Sequence, residues 1–245
     1  MTTLFISDLH LDPTRPDITR AFLEFLRNEA STADNLYILG DLFESWIGDD
    51  DDSALSQLVI RALRELNESK TATYIQHGNR DFLLGKTFFE RSECKPISDP
   101  VMIDLYGKSV LLLHGDSLCT GDTDYINFRS MVRGQNWQNE FLQQPLEQRR
   151  DIAQKIRNAS KDANSNKPQD IMDVSPDEVR HIFHQYKIDL MIHGHTHRPF
   201  IHRYSDSETT KTRVVLGDWD AYAWVLRYLP DHSYNLDKYA IIKTQ

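Results

Sequence analysis

The chain has 245 residues, enough for one large domain with a full hydrophobic core. Its formal net charge of −9 argues against a general nucleic-acid binder, and its two cysteines, Cys94 and Cys119, exclude a disulfide framework. No window approaches about 18 continuous apolar residues and "MTTLFISDLH" has no signal-peptide pattern, so a cytosolic protein without a spanning helix is expected.

Short apolar runs recur along the chain, and each is followed at once by a polar motif. "TLFIS" precedes "DLH". "PDITRAFLEFLRNEA" then reads as a helix with Ile18, Phe22, Phe25 and Leu26 on one face. "NLYIL" precedes "GDLFE", and the acidic run "GDDDD" follows. That run reads as a solvated loop capping the next helix from Ser53, not as a metal site. The helix "SALSQLVIRALRELNES" is expected to bury Leu55, Leu58, Val59, Ala62 and Leu66. "ATYIQ" precedes "HGNRD". "IDLYGKSVLLL" reads as a hairpin turning at Tyr106-Gly107-Lys108, and its second strand runs into "HGD".

From about Thr120 to Pro176 the strand pattern stops and helix is expected. Between Pro145 and Pro168 this segment carries Arg149, Arg150, Lys155, Arg157, Lys161 and Lys167 against Glu147, Asp151 and Asp162. A solvated helix face is the plain reading; a cap over an anionic ligand is the functional one. Its apolar positions Tyr125, Phe128, Phe141, Leu142, Leu146, Ile152 and Ile156 suit either a cap-to-body core or a wall for acyl chains. "DLMI" then precedes "HGHTH", and the tail reads as further strands in "RVVLGDW" and "AYAWVLRYL". Strand and helix alternate, which specifies an α/β architecture.

Asp8, His10, Asp41, Asn79, His114, His195 and His197 each lie just beyond an expected strand, where α/β sheets bind ligands. Carboxylate, imidazole and carboxamide donors suit Mn²⁺, Fe²⁺ or Zn²⁺. Seven donors are too many for one ion and fit two with a bridging carboxylate, an arrangement that activates water against a phosphoryl group.

The ordered series "DLH", "GDLFE", "GNRD", "HGD" and "GHTH" resembles the calcineurin-like metallophosphoesterases. The resemblance implies two β-sheets flanked by helices, one domain over residues 1–245, with a helical cap insert over approximately 120–176. It also implies that Asp8, His10, Asp41 and His197 hold one metal, and that Asp41, Asn79, His114 and His195 hold the other. His193 precedes the G-H-x-H motif and is read as a packed or supporting histidine. Two positions depart from the superfamily pattern: Glu44 stands where Asp is usual, and Arg80 replaces a histidine held to protonate leaving groups. A guanidinium stays charged and cannot act as a general acid, but it can grip a phosphate. A leaving group that is itself a phosphate needs little protonation, so Arg80 favours cleavage of a phosphoanhydride.

"LYILGDLFE", "HGNRDFLLGK", "NASKDANSNK" and "IHGHTHRP" narrow the resemblance to the UDP-2,3-diacylglucosamine diphosphatase family of lipid A biosynthesis. That family splits UDP-2,3-diacylglucosamine into UMP and 2,3-diacylglucosamine 1-phosphate (lipid X), usually with Mn²⁺, and the expected route is attack by metal-activated water on the α-phosphorus. Its substrate contacts carry over onto Asn79, Arg80, Asp122, Ser160, Asn164, Lys167 and His195. The implied setting is peripheral contact with the cytoplasmic face of the inner membrane, through residues 141–167, without nucleic acid. Two rivals share the scaffold. One is another dimetal hydrolase, acting on dinucleoside polyphosphates or cyclic nucleotides. The other is a non-catalytic module that has lost its ligands, and here none of the seven is missing.

Overall fold

The computed structural model describes residues 1–166, 173–205 and 210–243, with side chains left out over 161–166. Lys167 therefore lies outside the described residues, and of Asn164 only the backbone is described.

Among the described residues, one sheet takes β1 (Thr3–Ile6), β2 (Asn35–Leu39), β3 (Ala72–Gln76) and β4 (Lys95–Ile97) in parallel. The tail extends it antiparallel with β10 (Tyr222–Tyr228) and β11 (Tyr234–Ala240), giving the order β11-β10-β1-β2-β3-β4. The second sheet has the order β5-β6-β7-β9-β8, built from β5 (Val101–Leu105), β6 (Lys108–Leu113), β7 (Leu190–His193), β8 (Phe200–Ser205) and β9 (Thr210–Val215). The expected hairpin joins β5 to β6; Tyr106 and Gly107 both have positive φ, 57° and 89°, as a two-residue primed turn requires.

Each central strand is buried on both faces, which is why its sequence is a continuous apolar run. In β1, Phe5 faces the second sheet while Leu4 and Ile6 face helices. In β6, Val110 and Leu112 face the first sheet, and Leu111 and Leu113 pack with Val179 and Phe183 of a helix at Pro176–Tyr186. The two sheets thus form a sandwich with helices outside: α1 (Pro16–Asn28), α2 (Ala54–Glu68) and α3 (Lys86–Ser92) against the first sheet. The helix α1 buries Ile18, Phe22, Phe25 and Leu26 as its spacing predicts. The stripe on α2 is rotated from expectation: Val59, Ile60, Leu63 and Leu66 are buried, and Leu58 is exposed. The bury pattern follows Ile60 and Leu63, which the apolar spacing used above left out. The strands β4, β8 and β11 have no counterpart in the sequence reading; they are short, edge-lying or largely exposed.

The interrupting segment is helical: α4 (Thr123–Val132), α5 (Gln135–Leu142) and α6 (Leu146–Asn166), followed by α7 (Pro176–Tyr186). Phe141, Trp137, Ile152 and Ala153 join the core on the helix side of the first sheet. The acidic run is solvent-exposed at Asp50 and Asp52, as expected, but it also makes contacts. Asp49 accepts from Gly85 N and Phe88 N and caps α3, while Asp50 and Asp51 pair with Arg149 and Arg150 of α6. Ser53 does cap α2, accepting from Ser56 N.

Candidate metal centre

The carboxyl ends of β1, β2, β3, β6 and β7 point to one end of the sandwich and deliver all seven expected ligands there. Asp8, His10, Asp41, His195 and His197 sit in the left-handed backbone region, with φ of 49–69°. That region is unfavourable for residues with a Cβ, and its concentration here marks a site held by its surroundings. The holding is visible. His10 N donates to Asp41 O, Asp8 N to Gly40 O, and His195 N to the Asp8 carboxylate. Buried Asp81 accepts from Leu42 N and Gly78 N, tying the "GDLFE" and "GNRD" loops together. A Cβ on Gly78 would come within 2.0 Å of Asp41 Oδ1, so only glycine lets these loops close.

The donor atoms form two adjoining groups. His10 Nε2 lies 3.2 Å from His197 Nε2, and His197 Nε2 lies 3.5 Å from Asp8 Oδ1. Asn79 Oδ1 lies 2.9 Å from both His114 Nε2 and His195 Nδ1. Asp41 stands between the groups, with Oδ2 3.8 Å from His10 Nε2 and 3.8 Å from His114 Nε2. The rings are also held from behind. His114 Nδ1 donates to Leu39 O, His10 Nδ1 faces Glu44, and His197 Nδ1 faces Asp218. Histidines whose rear nitrogen meets an oxygen while the front nitrogen meets other donors are oriented as metal ligands. The nitrogen and oxygen donor set fits divalent metal ions.

The fold has a solved counterpart: an archaeal phosphodiesterase aligns with a TM-score of 0.51 at 14% identity, covering 98% of this chain and 100% of that one. Residues 1–199 match the calcineurin-like phosphoesterase family. The chain is 50% identical over 226 residues to the UDP-2,3-diacylglucosamine hydrolase of Cellvibrio japonicus, covering 92% of this chain and 94% of the relative. It is 47% identical over 241 residues to the protein of the same name from Chromohalobacter salexigens, covering 98% of each. The chain belongs to the calcineurin-like phosphoesterases, within the UDP-2,3-diacylglucosamine hydrolase family.

The centre of this phosphoesterase is electrostatically divided. Burial pushes the Asp8 carboxyl up, but the hydrogen bond and charge of His197, with His114 and His10, outweigh it and hold Asp8 well below the usual range. Burial lifts Asp41 above its ordinary value against the pull of His114 and His10. His114 and His197 are each raised to about 9; burial opposes this, but Asp41 dominates at His114 and Asp8 at His197. Burial and the charge of His114 push His195 down to about 3.

A cleft of about 310 Å³ opens over the cluster and is lined by Arg80, Asp122, Ser160, His195 and Tyr125, among others. Four expected substrate contacts therefore share one cleft with Asn79. Beside it, a slot of about 60 Å³ runs from Asn79 and Arg80 between Trp46, Phe82, Trp137, Phe141 and Ile156. His193 is turned away: its Nδ1 donates to Gly194 O and its Nε2 accepts from Arg213.

Three features escaped the sequence reading. Asp81 bridges loops from within a quoted motif. Asp116 is fully buried and holds Tyr125 Oη and Arg129 Nε at 2.9 and 2.6 Å, fastening α4 beside the cluster. Asp218 lies in the tail, whose only sequence signal was a strand. The basic segment also behaves differently from expectation. Arg149 is buried and bonds Ile47 O as well as Asp50, and Arg157 bonds Glu44 and Asp12. These two cations fasten α6 to acidic loops of the body, while Arg150 and Lys155 are exposed and Arg157 also lines the slot.

Proposed function

We propose that this phosphoesterase hydrolyses the diphosphate of UDP-2,3-diacylglucosamine, giving UMP and 2,3-diacylglucosamine 1-phosphate, a step of lipid A biosynthesis. The observation that carries the reading is the joining of three surfaces: the two donor groups, the Arg80 guanidinium in the same cleft, and the apolar slot that starts beside Arg80. A diphosphate suits the first two surfaces, and the slot, at about 60 Å³, is an apolar neighbour for the start of an acyl group. The relatives bearing this substrate in their names cover almost the whole chain.

Asp8, His10, Asp41 and His197 are assigned to one divalent ion, and Asp41, Asn79, His114 and His195 to a second, both Mn²⁺. When bound, such a pair supplies an activated water and neutralises phosphoryl charge. Arg80 braces the departing phosphate; no protonated side chain is required of it, because a phosphate leaves as an anion. Asp122 and Ser160 offer an acceptor and a hydroxyl to sugar or base, and Asn164 and Lys167 are assigned to the same substrate by the family resemblance. The insert at approximately 120–176 is assigned as a cap, and its Trp137, Phe141 and Ile156 line the slot.

An amphiphilic substrate calls for peripheral contact with the cytoplasmic face of the inner membrane. No described helix is long and apolar enough to cross a membrane. Exposed Leu142, Arg150 and Lys155 are among the contact points that the described side chains of α5 and α6 offer. The test is turnover of UDP-2,3-diacylglucosamine with and without added Mn²⁺, with products identified by mass, beside a panel of dinucleoside polyphosphates and cyclic nucleotides. Faster turnover of a panel member than of the lipid substrate would overturn the reading.

A further inference from the structure

Glu44 occupies an unusual position between the cap and the metal centre. Its two carboxylate oxygens point in opposite senses. Oε2 lies 2.8 Å from Nδ1 of His10, whose Nε2 faces His197 and Asp41. Oε1 lies 2.9 Å from Nε of Arg157 on α6. The same guanidinium reaches Asp12 through Nη1 at 3.2 Å. Glu44, His10, Arg157 and Asp12 are half-buried, with side-chain exposures of 14–32%.

Backbone geometry makes the body's part of this chain stiff. Glu44 N donates to Leu11 O, Leu11 N to Leu42 O, and His10 N to Asp41 O, so the two loops are zipped side by side. The cap's part depends on α6. Glu44 Oε2 is the oxygen that meets His10 Nδ1, at 2.8 Å, and among the described residues that nitrogen has no other partner. A small displacement of the Glu44 carboxylate therefore changes the strength of this contact steeply, because alignment governs hydrogen-bond energy. Arg157 holds the carboxylate's other oxygen and sets that displacement.

We infer that Glu44 is a positioning residue that makes the ion site at His10 sensitive to the docking of α6 through Arg157. The inference rests on the proposed two-ion reading of the site. Glu44 fixes the His10 proton on Nδ1 and leaves the Nε2 lone pair facing the cluster, as carboxylate partners of ligating histidines do. Arg157 draws the carboxylate into place when α6 is seated and leaves it loose when α6 is not. Because α6 also carries Ser160, occupation of the cleft and retention of this ion then favour each other.

The experiment is titration of metal-free protein with Mn²⁺ alone, read by calorimetry and by the Mn²⁺ spin-resonance signal. Glu44→Ala is expected to weaken one of two binding steps by about 10–100-fold, the usual effect of losing such a partner. Arg157→Ala is expected to weaken the same step by about 3–10-fold while touching no ligand. The double variant is expected to be no worse than Glu44→Ala, since both act through one contact. Arg150→Ala, which removes a different pairing between α6 and the body, should leave both steps unchanged. Thermal melts of the metal-free proteins check folding, and Arg157→Ala carries the test if Glu44→Ala does not fold. Wild-type binding by Arg157→Ala, or an equal loss in Arg150→Ala, overturns the inference. Two bound ions without turnover of UDP-2,3-diacylglucosamine would overturn the substrate reading alone. No bound ion in the wild type would overturn both.

Discussion

His193 accepts a hydrogen bond from Arg213 at 3.1 Å, with Nη1 as the donor, so the first histidine of "HGHTH" serves the second sheet and not the metal centre. Arg213 also donates to Tyr204 Oη. His193→Ala is therefore expected to retain most of its activity and lose stability, because a buried guanidinium loses one of its two partners among the described residues. His195→Ala and His197→Ala are expected to keep the fold and lose about a thousandfold in turnover. Steady-state rates beside thermal melts separate the two outcomes; equal rate losses at all three would contradict the geometry.

Asp41 reaches toward both donor groups. Asp41→Ala is expected to reduce bound metal at both positions and to abolish turnover, with the circular dichroism spectrum unchanged. Metal analysis of the purified variant checks this. Retention of two full equivalents would remove Asp41 from the bridging role.

The pH dependence of metal binding follows from His114 and His197. Both are raised to about 9 in the metal-free protein, above an unfolded value near 6.5. Their protonation stabilises the metal-free fold below pH 6.5, and that contribution is lost as pH rises through 9. Ions need the same nitrogens without protons, so affinity is expected to rise from pH 6.5 to 9 and then level. His195, lowered to about 3, releases none in this window. Calorimetry at pH 7 in buffers of different ionisation enthalpy should read a release approaching two protons.

Hydrolysis in ¹⁸O-water locates the bond that breaks. With Arg80 bracing the lipid-side phosphate, label is expected in UMP. Label in the lipid phosphate would reverse the orientation of the diphosphate in the cleft. Arg80→Ala should lower turnover by about 100-fold, as loss of a charge-bracing donor does.

Stability should respond asymmetrically at the α6 seam. Arg149 is buried and Asp50 is 61% exposed. Asp50→Ala leaves a buried guanidinium without its counter-charge and is expected to cost about 3 kcal/mol. Arg149→Met frees a carboxylate that water can reach, and is expected to cost about 1–2 kcal/mol. Denaturant titration of the metal-free proteins compares them. Vesicle co-sedimentation of Arg149→Gln should match wild type, since this cation does not face solvent.

The ligands were legible because each must follow a strand: a continuous apolar run marks a strand buried on both faces, and the polar residue ending it has one place to go. The hairpin at Tyr106-Gly107 was legible because its turn needs positive φ. The partners of ligands were not. Asp116 stands inside the quoted "HGD" and Asp218 in the tail, but their roles exist only after β6 and β9 bring them beside Tyr125 and His197. The charges of α6 were visible, but the partners of Arg149 and Arg150 lie 99 residues away in an acidic run that looked solvent-directed, and those of Arg157 lie in two other loops. Leu58 misled because Ile60 and Leu63 lie on the neighbouring, equally apolar arc of α2.

The left-handed backbone at Asp8, His10, Asp41, His195 and His197 has a consequence for how the chain tolerates change. Each such residue opposes folding by roughly 1–2 kcal/mol relative to a conformation its Cβ prefers. Glycine at 197, the most open of these positions at 40% side-chain exposure, would relieve that strain but leave buried Asp8 without its main counter-charge. The strained positions and the charges they carry are therefore bound together, and a lineage that no longer needs the reaction should lose Asp8 and His197 as a pair.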